Sequence, residues 1–298
     1  MKTLDIPVVP WGAGSQPVDE DGAQLAYMSM PEAMAVYAAP VLPEAEAVAH
    51  LTGAKAALAR VRDALAEHGG NGGNGGNGGA AGVDVGHLSP EEQILVNQVL
   101  GEGEVSIKLG GPIAVRIQES VLTGVWRVRR FNADGLCERD TIEVCDIPAI
   151  VAESVEASAT DTLQSLDALP AGAINSPSVL VEVQDRAQRY REAGAMHVLN
   201  LTLLPLTPED LIFLEQTLGQ GHADILSRGY GSCRISATAL KNAWWVRYYN
   251  SQDTMILNTI EIGGVPEVAR AASQDMEDSA LRLGEILQWI AGDDERRC

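Results

Sequence analysis

Two stretches of this sequence decide how it folds. They are LSPEEQILVNQVLGEGEVSIKLGGPIAVRIQESVLTGVWRVRRFNADGLCERDTIEVCDIPAIV at Leu88–Val151, and LTPEDLIFLEQTLGQGHADILSRGYGSCRISATALKNAWWVRYYNSQDTMILNTIEIGGVPEVA at Leu206–Ala269. They align without a gap at an offset of 118 residues, with 21 identities in 64 positions. Pro90/Pro208, Gly101/Gly219, Gly103/Gly221, Arg116/Arg234, Trp126/Trp244, Arg129/Arg247, Thr141/Thr259, Glu143/Glu261 and Pro148/Pro266 are among the identical pairs. An ungapped match of this span marks a duplicated module.

Each copy parses alike. Ser89-Pro90-Glu91-Glu92 and Thr207-Pro208-Glu209-Asp210 open helices, with a capping oxygen, proline at the first helical position and acids in the first turn. Gly101 and Gly219 are expected to end them as left-handed caps. Four strand-like runs follow: Glu104–Leu109, Ile113–Ser120, Val125–Phe131 and Arg139–Cys145, then His222–Ser227, Cys233–Thr238, Trp244–Asn250 and Met255–Ile262. Pro148 and Pro266 open further helices, expected to end near Leu169 and Ile290. A helix precedes each copy, at Pro43–His68 and about Ser178–Ala193, and the second copy adds an apolar strand at His197–Leu204. The expected fold is α+β: two tandem pseudo-equivalent modules, each of helices plus an antiparallel β-meander.

The flanking segments complete the expected organisation. Residues 1–42 carry Pro7, Pro10, Pro17, Pro31 and Pro40 with Trp11, Tyr27, Tyr37 and four Met, too proline-dense for a long helix and too apolar for a solvated tail. An extended Pro-rich strap laid over the body is the expectation. Residues 43–68 form a helix with its apolar stripe at Val48, Leu51, Ala54, Leu58, Val61 and Leu65. Residues 69–82, GGNGGNGGNGGAAG, form a flexible linker. The modules then occupy 83–173 and 174–298.

Composition excludes several function classes. Asp+Glu number 41 against 21 Lys+Arg, a net charge of −20, which opposes phosphate backbones and anionic lipid. Neither nucleic acid nor membrane insertion is therefore expected. Cys137, Cys145, Cys233 and Cys298 and the five histidines have no zinc or iron–sulfur spacing, so no metal and no cofactor is expected. The N-terminal MKTLDIPVVPWG lacks a signal peptide's apolar core, and no run of about 18 apolar residues occurs, which reads as cytoplasmic with reduced thiols.

Candidate chemistry is sparse. Gly101-Glu102-Gly103 and Gly219-Gln220-Gly221 follow helices and precede strands, the reverse of a dinucleotide loop, so they read as caps. Glu102, Glu104 and Glu119 read as solvated strand and turn carboxylates rather than as an acid–base group. The aromatic residues are more informative. Of 13, five fall within Tyr230–Tyr249, where Trp244, Val246 and Tyr248 share one strand face and Trp245, Arg247 and Tyr249 the other. An exposed Trp/Tyr/Arg face is the composition of protein-binding hot spots, against the alternative of a strand covered on both sides. Tyr230, between two glycines, is expected to project from a turn, with Cys233 and Arg234 just after it. Cys233 is either a simple buried thiol or one with lowered pKa. The expected partner-binding set is Tyr230, Cys233, Arg234, Trp244, Trp245, Arg247 and Tyr249.

The strings NQVLGEGEVS and GVWRVR in the first copy resemble the hydrogenase expression/formation protein family (HupH/HyaF type). So do LNLTLLPLTPEDLIFLEQTLGQG, GYGSCRI, WWVRYYNS, ILNTIEI and VPEVARAASQDMEDSALRL in the second. The resemblance spans about Leu88–Ile290, and YMSMPEAM at Tyr27–Met34 is similar to the family's N-terminal stretch. It implies an accessory protein in nickel–iron uptake hydrogenase maturation, acting on the small, iron–sulfur-bearing subunit precursor before export with its twin-arginine leader. A thioredoxin-like accessory chaperone is implied as a second partner. The resemblance brings no catalytic residue, so a non-enzymatic role is expected. The alternatives are a metal or iron–sulfur cluster handling protein that uses Cys233 with a partner's ligands, and an enzyme acting at a cleft between the halves.

Overall fold

A computed structural model describes residues 42–70, 82–163, 169–190, 196–229 and 231–292. The Pro-rich segment up to residue 41, linker residues 71–81 and Tyr230 lie outside the described residues. In chain order the elements are α1 (Thr52–Gly70), β1 (Val83–Asp84), α2 (Pro90–Leu100), β2 (Val105–Leu109), β3 (Ala114–Glu119), β4 (Val125–Phe131), β5 (Cys137–Val144) and α3 (Ile150–Ser158). They continue as α4 (Ser176–Arg189), β6 (His197–Asn200), α5 (Pro208–Leu218), β7 (Ala223–Gly229), β8 (Gly231–Ala237), β9 (Ala243–Tyr249), β10 (Met255–Ile262) and α6 (Ser273–Ala291). The fold is α+β.

The strands join one sheet in the order β1-β5-β4-β3-β2-β7-β8-β9-β10-β6, antiparallel throughout. At its centre β2 pairs with β7, and Ile107 faces Ile225, the residue 118 positions on. The outer ladders share one register: Arg116↔Arg129 recurs as Arg234↔Arg247, and Val128↔Thr141 as Val246↔Thr259. A register irregularity at Arg130/Phe131 on one side has its counterpart at Met255/Leu257 on the other. Pairing equal positions across a central ladder is the arrangement of an isologous two-fold interface, here within one chain.

The two sheet faces are covered differently. One carries Ile107, Ile117, Val128, Ile225, Ile235 and Val246 with Trp126 and Trp244, buried with Val151 and Val155 of α3 and with Val265, Ala269 and Ala271. On the other face, among the described residues, only the flanks are covered. There α2 sits over β4, with Asn97 accepting a hydrogen bond from Arg127, and α5 sits over β9, where Arg247 meets Glu215 at 3.0 Å. A second core cluster packs Val183 of α4 and Leu214 and Leu218 of α5 onto Trp245, Ile260 and Ile262. Between these flanks the middle strands face solvent.

Helix starts follow the expected chemistry, with one addition. Ser89 and Thr207 each form a capping box, with Glu92 and Asp210 respectively. The same two carboxylates also cap the helix before. Glu92 accepts from the backbone N–H of Gly53 and Ala54, and Asp210 from those of Ile174, Asn175 and Ser176. That cap fixes the start of α1 at Thr52, nine residues later than Pro43; residues 45–50 form turns instead.

Three other elements differ from expectation. The helix after Pro148 stops at Ser158, and Thr160 then bridges to Leu240 of the other half. The helix after Pro266 is interrupted: a 3-10 turn at Glu267–Ala269 gives way to extended chain at Arg270, whose guanidinium holds Asp146 at 2.6 Å, before α6 begins. The strand from His197 ends at Asn200, whose side-chain oxygen accepts from Thr202 N–H and bends the chain into a 3-10 turn.

The two Gly-x-Gly turns have positive φ at Gly101 (56°) and Gly219 (63°) as expected, but with extended ψ rather than the left-handed helical value. The second glycine of each is a close-approach position. A Cβ on Gly103 would lie 2.2 Å from Ser120 O, and one on Gly221 2.6 Å from Thr238 O.

Candidate functional site

The open middle of the sheet is the candidate site. Alternation along the strands puts Ser106 and Lys108 of β2, Arg116 and Gln118 of β3, Asp224, Leu226 and Arg228 of β7, and Arg234 and Ser236 of β8 on the solvent face. Lys108, Arg116, Arg228 and Arg234 are exposed there. Arg129 and Arg247, directly across the ladders from Arg116 and Arg234, border this panel beside α2 and α5. A chain of net charge −20 thus displays a basic panel.

Aromatic rings frame the panel in matching positions. The Arg116 guanidinium lies over Phe131 at 5.1 Å, and that of Arg234 over Tyr249 at 4.8 Å. Each pair is the other shifted by 118 residues. Stacking on a ring holds a long side chain extended while its N–H groups stay free for an acceptor. Arg247 stacks on Trp245 at 4.5 Å and is also tied to Glu215, so it is a wall of the panel more than a free donor.

The structure brings some of the residues expected from the sequence to this panel and not others. Arg234, Arg247 and Tyr249 come together on the panel. Trp244 and Trp245 are not at the surface, at 2% and 5% exposure, because Trp244 belongs to the core cluster shared with α3 and the 265–271 segment and Trp245 to the one formed with α4 and α5. The covered-strand alternative therefore holds at the tryptophans, and the exposed face begins only at Arg247. Cys233 points into the core opposite Tyr248; burial pushes its thiol up to about 11 and the Tyr248 hydroxyl up to about 12. It is a packed thiol rather than a nucleophile. Glu119 is buried rather than solvated, and burial, with Glu104 nearby, pushes it up to about 7 against hydrogen bonds from Gly124 and Val105 N–H.

Sequence reasoning missed Lys108, Arg116 and Phe131. The identity of Arg116 with Arg234 was visible in the alignment, but that the two sheets join edge to edge, making one panel of both, was not. Among the described residues no group of three His, Cys, Asp or Glu is placed to hold a metal ion. No helix among them is long and apolar enough to cross a membrane.

Comparison with known proteins gives a family match. The model of the HupH hydrogenase expression protein C-terminal conserved region matches twice, at residues 51–171 and 173–290. The chain is 44% identical to the hydrogenase expression/formation protein HoxQ of Cupriavidus necator over 97% of its length and 99% of that protein's. It is 40% identical to HupH of Rhodobacter capsulatus over 97% and 99% of the two chains. It is 31% identical to the hydrogenase-1 operon protein HyaF of Escherichia coli over 94% and 95%.

Proposed function

Because this chain belongs to the HupH hydrogenase expression protein family, we propose that it is an accessory factor in the formation of a nickel–iron uptake hydrogenase, one that binds the small-subunit precursor before assembly and export. The observation that carries the binding role is the open panel between α2 and α5, where stacked arginines face solvent on a rigid sheet floor. Arginine and aromatic residues on a fixed surface are the usual anchors of protein recognition.

On this reading the chain acts without chemistry of its own. The two pseudo-equivalent modules form one surface that covers an immature face of the small subunit and releases it when the clusters and the large subunit are in place. The factor works in the cytoplasm, beside a thioredoxin-like accessory chaperone. Cluster handling is the less favoured reading, because Cys233, the thiol it would use, is buried and held protonated.

Affinity capture from hydrogenase-producing cells at low oxygen tests the proposal, with the precursor supplied with and without its leader. Capture of the precursor but not of the mature complex is the expected result. Because the panel is basic, a basic leader should not be its ligand, and capture should persist without it. Failure to capture either form of the precursor would overturn the proposal.

A further inference from the structure

We infer that the central panel recognises an acidic peptide segment, bound in extended form, through two Arg–aromatic half-sites. This rests on reading the panel as the partner-binding surface and names the chemistry of what binds there.

The argument begins with unpaired charge. Lys108, Arg116 and Arg234 are exposed and make no ion pair among the described residues, whereas the border arginines Arg127, Arg129 and Arg247 are paired with Asp140 or Glu215. The panel's own acid, Asp224, already accepts hydrogen bonds from Gln220 and Ser236. The free groups of the panel are thus cationic donors in a protein whose net charge is −20. A guanidinium held over a ring leaves N–H groups free, and a guanidinium can bind a carboxylate as a fork with two parallel hydrogen bonds.

Spacing then sets the shape of the ligand. Arg116 on β3 and Arg234 on β8 are separated by β2 and β7. Three interstrand steps make about 14 Å, and the register offset between the two arginines adds a few ångströms. An extended peptide advances about 3.3 Å per residue and turns alternate side chains to the same face, so carboxylates four residues apart, about 13 Å along one face, reach both half-sites through the long arginine side chains. Lys108, beside Arg116 in the ladder, adds a third cation between them. A nucleic-acid backbone is also an anion, but its long run of phosphates would have to approach against the −20 field and past Glu91 and Glu215 on the flanking helices.

Fluorescence polarisation with three labelled peptides of equal length provides the test. One has paired Asp/Glu residues four positions apart, the second has the same carboxylates adjacent, and the third has Asn/Gln in their place. The spaced peptide should bind the full-length protein at least 10-fold more tightly than the neutral one and several-fold more tightly than the adjacent one. Arg116→Gln and Arg234→Gln should each weaken it about 10-fold, corresponding to about 1.4 kcal/mol, with Arg→Lys at either site recovering only part. The variants' thermal melts should match the wild type, since both side chains are exposed. Equal binding of acidic and neutral peptides, or unchanged binding in both Gln variants, would overturn the inference. So would displacement of the peptide by single-stranded RNA at lower concentration than by excess unlabelled peptide.

Parallel precursor capture separates the two levels. Capture by both the wild type and the Arg116→Gln/Arg234→Gln variant, with no peptide preference, would defeat this inference and leave the proposed function standing. Peptide binding without any precursor capture would do the reverse.

Discussion

The two copies fill equivalent positions with different physics, and the single residue is where this shows most sharply. Arg127 and Asp140 form a nearly buried bidentate ion pair at 2.7–2.8 Å. At the equivalent positions Trp245 donates from its indole N–H to Asn258 Oδ1 at 2.6 Å, also buried. A buried charge pair and a buried neutral pair thus do the same work of joining adjacent strands. The aromatic clustering drew attention to Trp245 as a surface residue; its burial depends on α5, which sequence spacing cannot place over a particular strand. Glu119 has no such counterpart, since Ala237 occupies its slot. With its folded pKa raised to about 7 by burial, ionising it costs stability as pH rises from the ordinary carboxylate range through neutrality. Glu119→Gln should therefore change stability little at pH 5 and raise it at pH 8 by an amount on the order of 3 kcal/mol, seen as a higher melting temperature. Equal effects at both pH values in thermal melts would show that the carboxyl is not buried as described.

At the scale of elements, the local signals were largely readable. Prolines after Ser89 and Thr207 marked α2 and α5 to the residue, and most strands lie within two residues of the apolar runs that announced them. What escaped were boundaries set by distant partners. Helix α1 begins where Glu92 reaches back to it, and α6 is delayed by the Arg270–Asp146 pair. The Asp210 knot is the clearest of these. Burial opposes ionisation of its carboxyl, but N–H groups from Ser176, Thr207 and Asn175 and the Ser176 hydroxyl outweigh it and hold Asp210 below the usual range. Asp210→Ala removes the cap of α4 and α5 together and should cost about 2–4 kcal/mol in denaturant unfolding at pH 7. Because the folded carboxyl titrates below its unfolded value, the difference from wild type should shrink only as pH falls below about 4. A difference that stayed constant from pH 7 to pH 3 would show that the charge is not what the knot needs.

For the whole molecule, the decisive feature is the β2–β7 ladder, which makes one sheet of two strand sets and brings Arg116 and Arg234 onto one floor. The duplication announced two similar sheets, yet edge pairing leaves no mark in composition or periodicity: Val105–Leu109 and Ala223–Gly229 are ordinary half-buried strands. Half of the candidate site was therefore legible, as Arg234, Arg247 and Tyr249, and its other half, Lys108, Arg116 and Phe131, required the fold. On the proposed reading, the acidic whole and the basic panel would sort partners by charge, favouring an acidic segment at the panel over a basic one. The central claim is that this panel binds the small-subunit precursor. Its most direct test is an equilibrium titration of purified, leaderless precursor onto the wild-type protein and the Arg116→Gln/Arg234→Gln variant, at low and at physiological salt. The account predicts saturable binding by the wild type that weakens with salt, and at least a 30-fold loss in the variant with its melting temperature unchanged. Equal affinity in the two proteins would contradict it.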